Sequence, residues 1–185
     1  MRILLAALAG AVAMFIWTSI AHVFTPLGST GFSQIPNEAA VISAMHSSIG
    51  EKSGLYFFPW VNPSDPKAME KTEALMKTNP SGLLLYKGPS GNLDMTPMMV
   101  EEFVKQFVQA LIAAFLLSLT VLTAYLSRAG FVALIGVSAA IATNVSYWIW
   151  YGFPGDFTCA AILIEVVSGI VAGLAIAAVL RPRTV

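Results

Sequence analysis

The sequence predicts an all-α membrane fold: a bundle of four transmembrane helices with a small α+β extracytoplasmic insert between the first and second. Three observations carry that reading. Hydrophobic residues make up 57% of the 185 and charged residues only 11%, a balance that calls for lipid as well as water as solvent. The charges are unevenly placed, with none from Ile3 to Ile35 and only Asp156 and Glu165 between Ala129 and Leu180. Such runs meet the requirement of about 20 apolar residues per bilayer crossing. Polar and turn-forming residues gather between them, dividing the chain into a first helix over 1–24, an insert over 25–100 and three further helices over 101–185.

The first run carries Arg2 as a positive flank and stays apolar to Phe24. Ala11-Val12-Ala13 is similar to a signal-peptidase site, but the apolar stretch continues well past it, so an uncleaved anchor is expected. The second run, Phe107 to Leu126, follows Thr96-Pro97, a cap residue and a first-turn proline. One helix from Pro97 to Leu126 would be about 45 Å long, against a hydrocarbon core of about 30 Å. Its first turns, with Glu101, Glu102 and Lys105, should therefore stand in water. The third run, Phe131 to Tyr151, and the fourth, Phe157 to Leu180, flank the tight turn at Pro154-Gly155 and form an antiparallel hairpin.

Within the insert, Pro36-Asn37 introduces a helix from Glu38 to Ile49, and Asp65-Pro66 a second from Lys67 to Lys77. Gly54 to Trp60 and Gly82 to Gly88 read as short strands bounded by glycine and proline. Two strands alone are marginal, so they must pack on those helices, on the bundle rim or on a partner. Tyr56, Phe57, Phe58 and Trp60 are either the core of this small domain or an apolar surface that docks on the membrane or a larger complex.

Arg2, Arg128, Arg181 and Arg183 fall on one side if four helices cross in succession, and positive residues near helix ends mark the cytoplasmic side. All six lysines lie between residues 52 and 105, in a segment long enough to translocate regardless of charge. Both termini are thus expected in the cytoplasm, with Trp148, Trp150 and Tyr151 in an interfacial aromatic belt at the outer end of the third helix.

Glu165 is the most informative single residue. A carboxylate at membrane depth is costly, so it should face the bundle interior, protonated or hydrogen-bonded. Asn144, Ser146 and Tyr147 on the third helix, and Trp17, Thr18 and Ser19 on the first, lie at comparable depth. Two readings stand: a proton-carrying or substrate-binding carboxylate, or an interhelical hydrogen bond that locks the bundle. His22, at the outer end of the first helix, could hold haem or a pigment, or simply meet interfacial water. Gly169 and Gly173 put small residues on one face of the fourth helix for close packing against a neighbour in this chain or another subunit.

No catalytic residue is expected. Glu101-Glu102 with Lys105 is similar to the acidic pair and basic residue of one class of intramembrane protease. That class also needs histidines on later helices, and this chain has none after His46. There is no GxSxG elbow, P-loop or GxGxxG fingerprint. Cys159 is the single cysteine and His46 lacks a second histidine at ligand spacing, so neither metal nor resident cofactor is expected. Zero formal net charge excludes a nucleic-acid surface.

Trp17, His22, Pro26 to Gly28, Gly31, Pro36 to Glu38 and Gly54 to Pro59 form a series that resembles a group of small bacterial membrane proteins with the same plan of one helix, an insert and three helices. The resemblance covers less than a third of the chain and implies no activity. It implies a bacterial source, for which the arginine pattern above places the chain in the inner membrane with residues 25–100 in the periplasm. The expected function is that of a non-catalytic accessory or structural subunit, partnered by lipid and by other membrane subunits or copies of itself. The alternatives are a proton-coupled small transporter or channel component using Glu165 and, third, pigment or haem binding through His22.

Overall fold

The computed structural model describes residues 1–91 and 93–182. In chain order these form α1 (Arg2–Val23), a 3-10 turn (Pro26–Gly28), α2 (Glu38–Ile49), β1 (Gly54–Phe58), α3 (Ala68–Met76), β2 (Gly82–Tyr86), α4 (Thr96–Ser118), α5 (Tyr125–Ala140), a π-helical turn (Ile141–Val145), α6 (Ser146–Tyr151) and α7 (Gly155–Val179). Two compact units result. One joins Met1–Phe32 to the chain from Asp94 onward, and the other is Ser33–Leu93.

Three helices are long and apolar enough to cross a membrane: α1, α7, and the continuous helix Tyr125–Tyr151 made by α5, the π turn and α6. On α1, Leu5, Leu8, Val12, Ile16 and Ile20 are all exposed, an outward apolar face that suits lipid. The fourth expected crossing is different. It was expected to run to Leu126, but α4 stops at Ser118, and every 18-residue stretch of it includes Glu101, Glu102 and Lys105. Its length is about 34 Å, of which the part after Lys105 is the long stretch free of charge. The cause of the early stop is local. Ser118 Oγ and Thr120 Oγ1 donate to the Phe115 and Leu117 carbonyls, while Leu119 and Thr120 N–H close short bonds to Leu116 and Leu117. Hydroxyl side chains that compete for backbone carbonyls in this way end helices without any loss of hydrophobicity. The next helix accordingly begins at Tyr125, earlier than the expected Phe131. At its other end α4 starts at Thr96 itself, whose N–H is taken by Asp94 Oδ1 at 2.9 Å. The backbone and side chain of Thr96 hold the Asp94 carboxyl below the usual carboxylate range.

The helical unit is packed through small side chains. Ala6, Ala7 and Ala11 of α1, Ala110, Ala113 and Ala114 of α4, and Ala172 and Ile176 of α7 form one buried cluster. The seam between α5 and α7 is tighter still. A Cβ on Gly136 would lie 2.9 Å from Gly169 Cα, and one on Gly173 would lie 2.3 Å from the Ala129 carbonyl oxygen. Arg128, a flanking charge by sequence, is buried at the end of this seam. Its guanidinium donates to the Ala177 carbonyl at 3.2 Å and to the Leu180 carbonyl, serving the last turn of α7 where four carbonyls lack helical partners.

The unit Ser33–Leu93 has its elements where the glycines and prolines put them, but no interior. β1 and β2 pair antiparallel, with Leu55 opposite Leu85 and Phe57 opposite Leu83. Tyr86 Oη donates to the Gly50 carbonyl at 2.7 Å, Tyr56 Oη to the Lys52 carbonyl at 2.9 Å, and the two rings meet edge-to-face. Asp65 Oδ1 accepts from the Lys67 N–H at the start of α3, and its carboxylate pairs with Lys71, which together hold it below the usual carboxylate range. Among the described residues of this unit none is buried.

Two glycine substitutions on one helix hairpin should act with opposite sign. Gly173→Ala drives a methyl group into backbone and should cost about 1–3 kcal/mol. Gly130→Ala meets nothing within 4 Å and should stabilise by about 0.5–1 kcal/mol. Unfolding of the purified protein in detergent measures both; loss of stability in both variants would show that the α5–α7 seam is placed wrongly.

Candidate functional site

Glu165 lies about 15 Å along α7 from its start at Gly155, and it does not face the bundle interior as expected. The side chain is exposed from the protein and has no hydrogen bond or ion pair within the described residues. It lines a cleft of about 250 Å³ opening between α1, α4, α5 and α7, together with Thr18, Lys105, Gln106, Gln109 and Ser168. Insertion scales put the cost of an ionised side chain at mid-membrane at about 2.5–3.5 kcal/mol, so an unpartnered carboxylate here needs a reason.

Gln106, which is not among the residues expected from the sequence, supplies the most informative contact in that cleft. It is 1% exposed, the only large polar side chain among the most deeply buried described residues. Its Nε2 donates to Thr18 Oγ1 at 3.0 Å and to Glu102 Oε1 at 2.8 Å. Thr18 Oγ1 itself donates to the Phe15 carbonyl, and Glu102 also accepts from Lys105 at 2.8 Å. Both amide donors of Gln106 are thus engaged, while Oε1 is buried with no partner. A buried amide oxygen left unpaired costs about 1–3 kcal/mol, and such a group is rare in a native interior.

The remaining lining is apolar, with small residues at Ala110, Ala113, Gly136, Ala139, Gly169 and Ala172 and larger ones at Met14, Ile112, Val132, Ile135 and Ile164. Polar and apolar side chains thus share the lining. A wider, shallower depression of about 530 Å³ between α5 and α7 is lined by apolar residues apart from Ser127 and has no recognition chemistry.

None of the partners expected for Glu165 bonds to it. Asn144 is buried in the π turn and donates to the Ala140 carbonyl at 3.0 Å; Ser146 donates to the Ala142 carbonyl. Ser19 is half-buried. Tyr147 stacks on Phe153, which meets Phe157, which in turn meets Phe32 edge-on, giving a row of rings at the α6–α7 turn. Trp17 comes nearest, its Nε1 donating at 2.9 Å to the carbonyl of Ile164, the residue before Glu165. His22 is exposed, with Nδ1 2.9 Å from the Thr18 carbonyl, which makes Nδ1 the donor. Among the described residues no group of three His, Cys, Asp or Glu side chains could hold a metal ion. Gly169 and Gly173 are taken up by α5 of the same chain. Tyr56 is half-buried by its pairing with Tyr86, whereas Phe57, Phe58 and Trp60 are exposed.

Compared with protein-family models, with curated proteins and with solved structures, the chain finds no match.

The Thr18–Gln106 bond should show as a coupling energy. In a double-mutant cycle of Thr18→Ala and Gln106→Leu, read by unfolding in detergent, the two should couple by about 0.6 kcal/mol and by no more than about 1.7 kcal/mol. Strict additivity would mean that the two side chains do not meet.

Proposed function

We propose that this chain is a non-catalytic accessory subunit of a larger assembly in a bacterial inner membrane, with residues 25–100 as its periplasmic docking element. One observation carries the reading: the unit Ser33–Leu93 has secondary structure but no buried residue among those described. A two-stranded hairpin needs a third strand or a helix on its apolar face to be stable alone, and α2 and α3 bury nothing on it. Leu55 and Leu85 stand 62% and 72% exposed on the same side of the hairpin, with Phe57 beside them and Trp60, 67% exposed, just beyond. An apolar face of this kind on a folded segment marks an interface.

The same proposal makes α4 the fourth crossing and sets both termini in the cytoplasm. Support comes from the ends of the helices. Gly10 of α1 meets Ile176 of α7, so the Arg2 end of α1 lies with the Arg181 end of α7, and Arg128 reaches that same end through Leu180. Arg183 lies outside the described residues. For a transporter or channel built on Glu165, no hydrogen bond among the described residues links its carboxylate to the Thr18, Gln106 and Glu102 group.

Leu55→Ser combined with Leu85→Ser should leave the unfolding temperature of the purified chain within about 1 °C, since both side chains are exposed. It should reduce the share of the protein migrating in a large native assembly at least tenfold, because each apolar side chain buried at a partner is worth about 1.5–3 kcal/mol. A photo-crosslinker at position 85 should capture one defined protein in whole membranes. Labelling of lipid only, or a homo-oligomer indifferent to the double substitution, would sink the subunit reading.

A further inference from the structure

We propose that the cleft between α1, α4, α5 and α7 is a binding site for the primary-ammonium head of an amphiphile, with Glu165 and Gln106 as its two acceptors. This does not depend on the accessory-subunit reading, because it concerns the helical unit alone. Gln106, which lines the cleft, carries in Oε1 an acceptor without a partner among the described residues and nearly closed to water, so a donor engages it as the side chains around it shift. The amide cannot satisfy itself by turning over, because its nitrogen is held by two acceptors, Thr18 Oγ1 and Glu102 Oε1.

Charge gives the second half of the specificity. Lys105 is neutralised by Glu102 at 2.8 Å, which leaves Glu165 as the uncompensated charge of the cleft. A cation is therefore favoured over a neutral alcohol and an anion is disfavoured. An ammonium group has three N–H donors and can serve the carboxylate and the amide oxygen together. Quaternary ammonium has the charge but no N–H, and would leave Gln106 unpaired.

Size and lining give the rest of the ligand. The cleft, at about 250 Å³, is below the roughly 300–1,000 Å³ of pockets that enclose a drug-sized molecule, so it takes a head and the first methylene groups. The apolar lining, small at Gly136, Ala139 and Ala172 and larger at Ile135 and Ile164, receives those methylenes, and the tail continues toward lipid, which Glu165 already faces. The ammonium can come from an aminophospholipid headgroup or from a free long-chain amine; the chemistry recognised is the same.

The test uses the full chain purified in a non-ionic maltoside detergent, titrated with dodecylamine and with dodecyltrimethylammonium, and read by tryptophan fluorescence and unfolding temperature. Trp17 is bonded to the residue next to Glu165 and should report the occupied cleft. Dodecylamine should bind saturably and at least tenfold more tightly than the quaternary compound. Glu165→Gln should weaken it at least tenfold, Gln106→Met should do likewise, and Ser127→Ala, in the other depression, should change nothing. Glu165 is exposed, so its variant keeps the test open if Gln106→Met fails to fold. Retention of phosphatidylethanolamine over phosphatidylglycerol from mixed nanodiscs would identify a lipid as the source of the amine; amine binding without lipid retention would identify a free amine. Equal response to both dodecyl compounds, or amine binding unaltered by Glu165→Gln, would overturn the proposal.

Discussion

Contact between small residues holds the helical unit together once lipid replaces water, because acyl chains are as apolar as leucine and give helices no hydrophobic reason to associate. The seam of Gly136, Gly169 and Gly173 brings α5 and α7 to backbone contact, and the rest of the bundle follows from it. With α7 fixed, Ile176 lies against Gly10 and orients α1; with α1 fixed, Thr18 reaches Gln106 of α4. The cleft is a consequence of the same residues. Gly136 and Gly169 belong at once to the seam and to the lining of the cleft, so the side chains that would have filled that space are the ones that close packing forbids.

Every polar group placed among these helices must find a partner within the protein or the lipid phase, and three solutions appear side by side. Trp17 donates to a helical carbonyl that is already bonded along α7 and so ties two helices without disturbing either. Arg128 spends its donors on the carbonyls at the end of α7, where the helix has no internal partner to offer. Gln106 is left half-satisfied, with both donors used and its acceptor free. The first two are complete within the chain and read as architecture. The third is incomplete in a packed interior, and that difference directs attention to the cleft.

Sequence reasoning resolved what depends on backbone chemistry and lost what depends on neighbours. α2 begins and ends at the expected Glu38 and Ile49, and both strands start at the expected Gly54 and Gly82, because proline restricts and glycine frees the backbone angles whatever surrounds them. The end of α4 was invisible to a hydropathy argument, since Ser118 and Thr120 end the helix through hydroxyl bonds while the chain stays apolar to Leu126. The setting of Glu165 was invisible for another reason: α7 is apolar on every face, so no amphipathic stripe tells which side looks inward. Gln106 had a faint signal, a glutamine four residues after Glu102 and four before Ala110, in register with the buried side of α4. Its importance rests on Thr18, 88 residues away, and no local pattern contains that.

The two faces of the β1–β2 hairpin show why a partner is the more economical account of the insert. On one face Tyr56 and Tyr86 cross edge-on and spend their hydroxyls on the Lys52 and Gly50 carbonyls, so that side is closed by its own strands. On the other, Leu55, Phe57, Leu83 and Leu85 pair across the strands and nothing from α2 or α3 is buried on them. Ordering a residue costs about 1–2 kcal/mol of backbone entropy, which burial normally offsets, and this unit has ordered strands and helices without an interior to do so. The deficit falls on one identifiable face, and the proposed partner is the surface that would cover it.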